Sequence, residues 1–123
     1  TSFGRLLNEP SLVEQSRVAL GKLLEATSSS KHGFFTVDFK EDATGRPLIT
    51  EINVRHVAFT QCLAAAGANL AEDTMRLLDD DNGFDRAFHM YRFEKDLIFL
   101  RDVDSLPVIM KEGDLLKQVP GNH

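Results

Sequence analysis

From Gly33 onward the apolar residues fall at every second position, with Phe35, Val37 and Phe39 pointing one way and Thr36, Asp38 and Lys40 the other. Side chains leave an extended backbone on alternating sides, so this period marks a strand with one buried face. Asp42-Ala43-Thr44-Gly45 has turn composition. Pro47 to Val54 then resumes an extended pattern in which Leu48, Ile52 and Val54 alternate with Glu51, Asn53 and Arg55. Two such runs joined by so short a turn predict an antiparallel β-hairpin. With the turn centred between Thr44 and Gly45, Asp38 faces Glu51 and Thr36 faces Asn53. A slip by two residues is the open alternative. Any register that puts the apolar residues on one face leaves Asp38, Glu51, Asn53 and Arg55 together on the other.

Carboxylates side by side on neighbouring strands repel each other and weaken the sheet unless a cation lies between them. Lys40 on the same face offers partial neutralisation. A hard divalent ion fits a set of carboxylate and amide oxygens better, since Mg²⁺ takes one or two carboxylates together with substrate phosphates. The plain alternative is a solvated acidic face with no ligand, which is what most surface acids form. By the same reasoning Asn53 is either a ligand or a strand-ending turn residue, and Arg55 either a phosphate clamp or a cross-strand partner of Glu51.

The rest of the chain reads as α+β. Ser11 and Glu14 have capping-box spacing after Pro10, and Leu12, Ala19, Leu20, Leu23 and Leu24 recur at helical spacing to about Ala26. Thr27 to Ser30 form a polar stop. Val57 to Ala66 predicts a short Ala-rich helix closed by Gly67, and Asn69 with Glu72 caps another helix reaching about Asp79. Ala87 to Phe93, Leu97 to Arg101 and Val108 to Met110 read as strands. The expected class is therefore an antiparallel sheet with packed helices in one domain spanning residues 1–123. Phe88, Tyr91 and Phe93 are expected as core or partner-facing aromatics. Asp79-Asp80-Asp81-Asn82-Gly83 is expected as a helix end with an Asn-Gly stop, because an EF-hand loop counted back from Gly83 needs an Asp where Leu78 stands.

Composition removes several function classes. A formal net charge of −5 without a basic run argues against nucleic acid. No apolar run approaches the roughly 20 residues of a membrane span, and no signal-peptide pattern stands at the N-terminus, so a cytoplasmic protein is expected. The single cysteine, Cys62, cannot form an internal disulfide and is expected as a buried thiol. His32, His56, His89 and His123 show no metal-ligand spacing.

Gly33-Phe-Phe-Thr-Val-Asp-Phe-Lys-Glu-Asp, followed by Gly45-Arg-Pro-Leu-Ile-Thr-Glu-Ile-Asn-Val-Arg55, resembles the end of the ATP-grasp fold of carbamoyl-phosphate synthases and related carboxylate-activating ligases. The likeness covers about Ser11 to Leu78. It implies the C-terminal half of an ATP-grasp fold, in which Asp38, Glu51 and Asn53 ligate Mg²⁺ or Mn²⁺ and Arg55 contacts the transferred phosphoryl group. The implied parent is an ATP-dependent ligase that takes ATP and a small carboxylate, forms an acyl phosphate and passes it to an amine-type nucleophile. The glycine-rich loop, phosphate-holding lysines and adenine hinge of that family have no match here, so the chain is expected to be half a cleft, inactive alone and reliant on a missing N-terminal part. The family's Asn-Pro-Arg stands as Asn53-Val54-Arg55. Severed from its other half, such a fold exposes apolar surface and is expected to self-associate. A noncatalytic α+β interaction module is the competing expectation.

Overall fold

A computed structural model describes residues 2–102 and 106–118. Along the chain run β1 (Ser2–Arg5), α1 (Pro10–Ala26), β2 (Thr36–Glu41), β3 (Pro47–Asn53), α2 (Thr60–Ala65), α3 (Leu70–Leu78), β4 (Leu97–Arg101), β5 (Val108–Lys111) and α4 (Glu112–Gln118). The class is α+β, with antiparallel sheets of three strands, in the order β1-β4-β5, and of two strands, β2-β3. No helix among the described residues is long and apolar enough to cross a membrane. The chain divides into two compact units, one of residues 9–57 and one of residues 1–8 with 58–123.

In the second of these units the core forms on β4, whose Leu97-Ile98-Phe99-Leu100 run suits a central strand covered on both faces. Ile98 and Cys62 are fully buried, and Leu6, Cys62 and Phe99 pack with Leu63, Ala66, Phe93, Leu97 and Ile109. Cys62 is thus the inert core thiol that its Ala-rich setting predicts. Asn69 caps α3 as expected: its Oδ1 accepts from the Glu72 N–H at 3.3 Å, and its Nδ2 donates to the Glu72 carboxylate at 3.0 Å. Gly67, at φ +101°, takes the left-handed position just past α2.

Several expectations fail for local reasons. Ser11 does not cap α1, because Pro10 starts the helix one residue earlier and leaves Ser11 inside its first turn. Residues 87–93 join no ladder. Instead, the Asn8 side chain brackets the Phe93 peptide, donating to its carbonyl and accepting from its N–H at 2.9 Å each, as a neighbouring strand would. Helix α3 ends through Asp80 at φ +50°, with the Asp81 N–H donating to the Arg76 carbonyl, and not through the Asn-Gly pair. Strand β1 escaped the sequence reading because four residues are too few to show a period.

Strand β1 depends on a bare backbone at Gly4, which pairs with Phe99 of β4. A Cβ placed on Gly4 would lie 2.4 Å from Phe99 Cζ and 2.5 Å from Cε1. The ring lies over the glycine, and the core around Phe99 limits its escape. Gly4→Ala is expected to destabilise the protein by about 1–3 kcal/mol, the usual cost of an extra carbon forced into a packed core. Urea unfolding followed by far-UV dichroism reads the shift in midpoint.

Candidate functional site

The unit of residues 9–57 is built around the hairpin, and its turn is tied by one side chain. Asp42 Oδ1 accepts from the Thr44 N–H at 2.9 Å, the Thr44 hydroxyl at 2.6 Å and the Arg46 N–H at 3.0 Å, while Oδ2 accepts from Arg46 Nε at 3.1 Å. Gly45 completes the reversal at φ +79°, a conformation that a side chain would strain. The Thr44 hydroxyl bond, followed by the two backbone N–H bonds, holds the Asp42 carboxyl below its ordinary value of 3.8.

Beyond the turn the ladder pairs Thr36 with Asn53, Val37 with Ile52 and Asp38 with Glu51, as counting from the turn predicts. Closer to the turn the register shifts by one, with Phe39 opposite Ile49 and Lys40 opposite Leu48, leaving Thr50 as the extra residue of a β-bulge. Leu48 therefore leaves the expected buried face and is 44% exposed. The signal was present as the unbroken apolar run Pro47-Leu48-Ile49, which no strict alternation accommodates. Thr50 stays attached through its hydroxyl, which donates to the Asp38 carbonyl at 3.2 Å.

As directly opposed residues, Asp38 and Glu51 project from the same face, and both are exposed. Asn53 joins them: its Nδ2 donates to Asp38 Oδ2 at 3.4 Å. Among the described residues neither carboxylate is ion-paired. Arg55 lies in a bend past the end of β3, and its guanidinium donates to the His56 carbonyl at 3.2 Å. It is thus outside the ladder that assembles the other three. His56 stacks on Phe34 with ring centroids 4.1 Å apart, which anchors the chain just beyond Arg55. Counting from the turn places Thr36 opposite Asn53 without giving it a role; its hydroxyl oxygen is buried and without a hydrogen-bond partner among the described residues.

Chemically, the face offers two exposed carboxylates and an amide oxygen, hard donors of the kind that Mg²⁺ and Mn²⁺ prefer. No group of three or more His, Cys, Asp and Glu side chains converges among the described residues, so a cation here would keep water or phosphate oxygens in its remaining positions. The chain matches no protein-family model, no curated protein and no solved structure.

Two outcomes follow from this geometry. Since the folded Asp42 carboxyl is more acidic than the unfolded one, its contribution to stability is complete above the ordinary value of 3.8 and is lost as pH falls through the lower folded value. The Thr44 and Arg46 amide resonances are expected to titrate together below pH 3.8 and to lose that titration in Asp42→Ala. With divalent cations chelated, Asp38→Asn relieves the like-charge pairing and is expected to raise stability by about 0.2–1 kcal/mol, the range for cross-strand pairs. Thermal unfolding in EDTA measures it.

Proposed function

We propose that this chain supplies the metal- and phosphate-binding edge of an ATP-dependent carboxylate ligase, corresponding to the C-terminal half of an ATP-grasp domain. The observation that carries the reading is the pairing of Asp38 with Glu51, two exposed acids on one face, neither of them ion-paired among the described residues, with Asn53 beside them. Such a pair costs the sheet some stability when bare, and a bound cation would remove that cost. The resemblance of the Gly33–Asp42 and Gly45–Arg55 segments to that family points to the same three ligands.

In this reading Asp38, Glu51 and Asn53 hold Mg²⁺ or Mn²⁺ against the phosphates of ATP. The ion supplies charge neutralisation on the phosphate oxygens when bound. A substrate carboxylate oxygen attacks the γ-phosphorus, the bond to the β-phosphate oxygen breaks, and ADP leaves with an acyl phosphate formed. An amine nitrogen then attacks the acyl carbon, inorganic phosphate departs and the amine gives up a proton. Arg55 swings from the His56 carbonyl to the transferring phosphoryl group, where its fixed fork of donors matches the oxygens. No side chain of the hairpin acts as covalent nucleophile. Nucleotide-binding loops and an adenine pocket would come from polypeptide outside these residues.

Glu51→Gln keeps shape and removes charge. In the protein carrying the whole cleft, it is expected to lower ATP turnover about a hundredfold or more, the scale for losing a preorganised electrostatic group. Manganese-induced broadening of hairpin resonances in the 123-residue chain gives a second readout, centred on Asp38, Glu51 and Asn53 and abolished by the same substitution. Unchanged turnover together with no localised broadening would leave the noncatalytic interaction module as the better account.

A further inference from the structure

Among the described residues of 9–57 none is fully buried, and α1 contributes no buried residue along its 17 positions. Beside α1, against β3, runs a groove of about 560 Å³ whose apolar floor is Val18, Ala19 and Ile49 and whose rim carries Glu14, Gln15 and Lys22. Val18 is 49% exposed and Ile49 37%, so both apolar side chains meet water. The charges of the rim are arranged with a symmetry. Glu14 and Lys22 stand four residues before and after Val18 on one stripe of the helix, about 6 Å along the axis on either side at 1.5 Å per residue.

We infer that this groove docks a second copy of the chain, with the two α1 helices antiparallel about a twofold axis at Val18. A twofold contact presents the same patch from each copy, so it must be self-complementary. Antiparallel pairing about Val18 sets Glu14 of each copy against Lys22 of the other, giving two rim ion pairs around an apolar centre formed by both copies of Val18 and Ala19. It also places Gly21 opposite Gln15 of the second copy. Gly21 is a mid-helix glycine, a residue that weakens a helix relative to alanine, and a Cβ added there would meet nothing within 4 Å in this chain. A neighbouring helix passing close gives that bare backbone a packing role.

The helix dipole points to the same partner. Helix α1 has no acidic residue in its first turn and no basic residue in its last, while Glu25 stands near its negative C-terminal end. In the antiparallel pair Glu25 comes beside Ser11 and the positive N-terminal end of the second copy's α1. An unfavourable placement within one chain becomes favourable across the pair. The inference is independent of the ligase reading, since none of its residues is a proposed metal ligand or phosphate clamp.

Sedimentation equilibrium of the full chain tests it. The wild-type chain is expected to dimerise reversibly, and Glu14→Lys or Lys22→Glu alone to raise the dimer dissociation constant about tenfold or more, each substitution converting two attractions into two repulsions. The double exchange Glu14→Lys with Lys22→Glu is expected to restore wild-type association. That rescue separates an intermolecular pair from a loss of helix stability, because it leaves the 3.2 Å intrahelical contact of Glu14 with Arg17 broken. Glu14→Gln and Lys22→Gln, which remove a charge and introduce no opposite charge, are expected to weaken association in the same direction by a smaller factor. A chain that stays monomeric at all concentrations, or an oligomer insensitive to either single reversal, or a double exchange no stronger than the singles, would overturn the inference. The first of these results would assign the groove to a different polypeptide.

Discussion

Asp38 and Glu51 are held opposite each other by a ladder in which their like-charged side chains repel. The forces that hold them lie elsewhere in the hairpin: backbone pairing from Thr36 to Glu41, the apolar residues of the other face, and the Asp42 knot at the turn. A hairpin of two strands is marginal in water by itself, so every device that fixes its register matters. Asp42 satisfies two backbone N–H groups that would otherwise need water and aligns Arg46 along the outgoing strand. The bulge at Thr50 then adjusts the register between the turn and the acidic pair. Without that extra residue, the apolar pattern near the turn and the polar pattern farther out would demand different pairings.

Much of this was legible in the sequence because strand parity is a strong constraint. One residue of slip would exchange the faces of the whole hairpin, so the assignment of Asp38, Glu51 and Asn53 to one side followed from Phe35, Val37 and Ile52 on the other. The bulge was less legible, since Leu48 and Ile49 are both apolar and either can take the inward position. Arg55 shows the limit of the same argument. Parity holds only while the chain stays extended, and the bend at Val54 and Arg55 takes the guanidinium off the ladder. Strand β1 and the irregular stretch 87–93 were opaque for another reason: their pairing partners, Phe99 and Asn8, are remote in sequence and cannot be recognised from local period.

The two units differ in what holds them. Around β4, a central apolar strand, a fully buried thiol and a glycine that admits an aromatic ring make a small but closed core. Residues 9–57 have no fully buried side chain among those described, and their order rests on backbone hydrogen bonds, the turn knot and half-buried contacts. Apolar burial is the largest favourable term in folding, and this segment gains it only from half-buried side chains. A cation between the acids and a second helix over Val18 would each add stability by binding, and they act on different faces: one removes repulsion from the polar side of the hairpin, the other removes apolar surface from α1 and β3.

This difference bears on why a cation site would be placed on the less buried unit. A rigid, fully packed strand pair would hold the carboxylates at one fixed separation whether or not a cation were present, with their repulsion stored permanently. On a ribbon fixed at its turn by Asp42 and beyond its far end by the Phe34–His56 stack, a bridging cation would offset the carboxylate repulsion between those two anchors. Under the proposed function, the ion would stabilise the same ladder that positions its ligands. The stacked pair of Phe34 and His56 fastens the residue after Arg55 to a residue two positions ahead of β2. Under the proposed function, that stack would help to set where the phosphate clamp stands relative to the bridged acids.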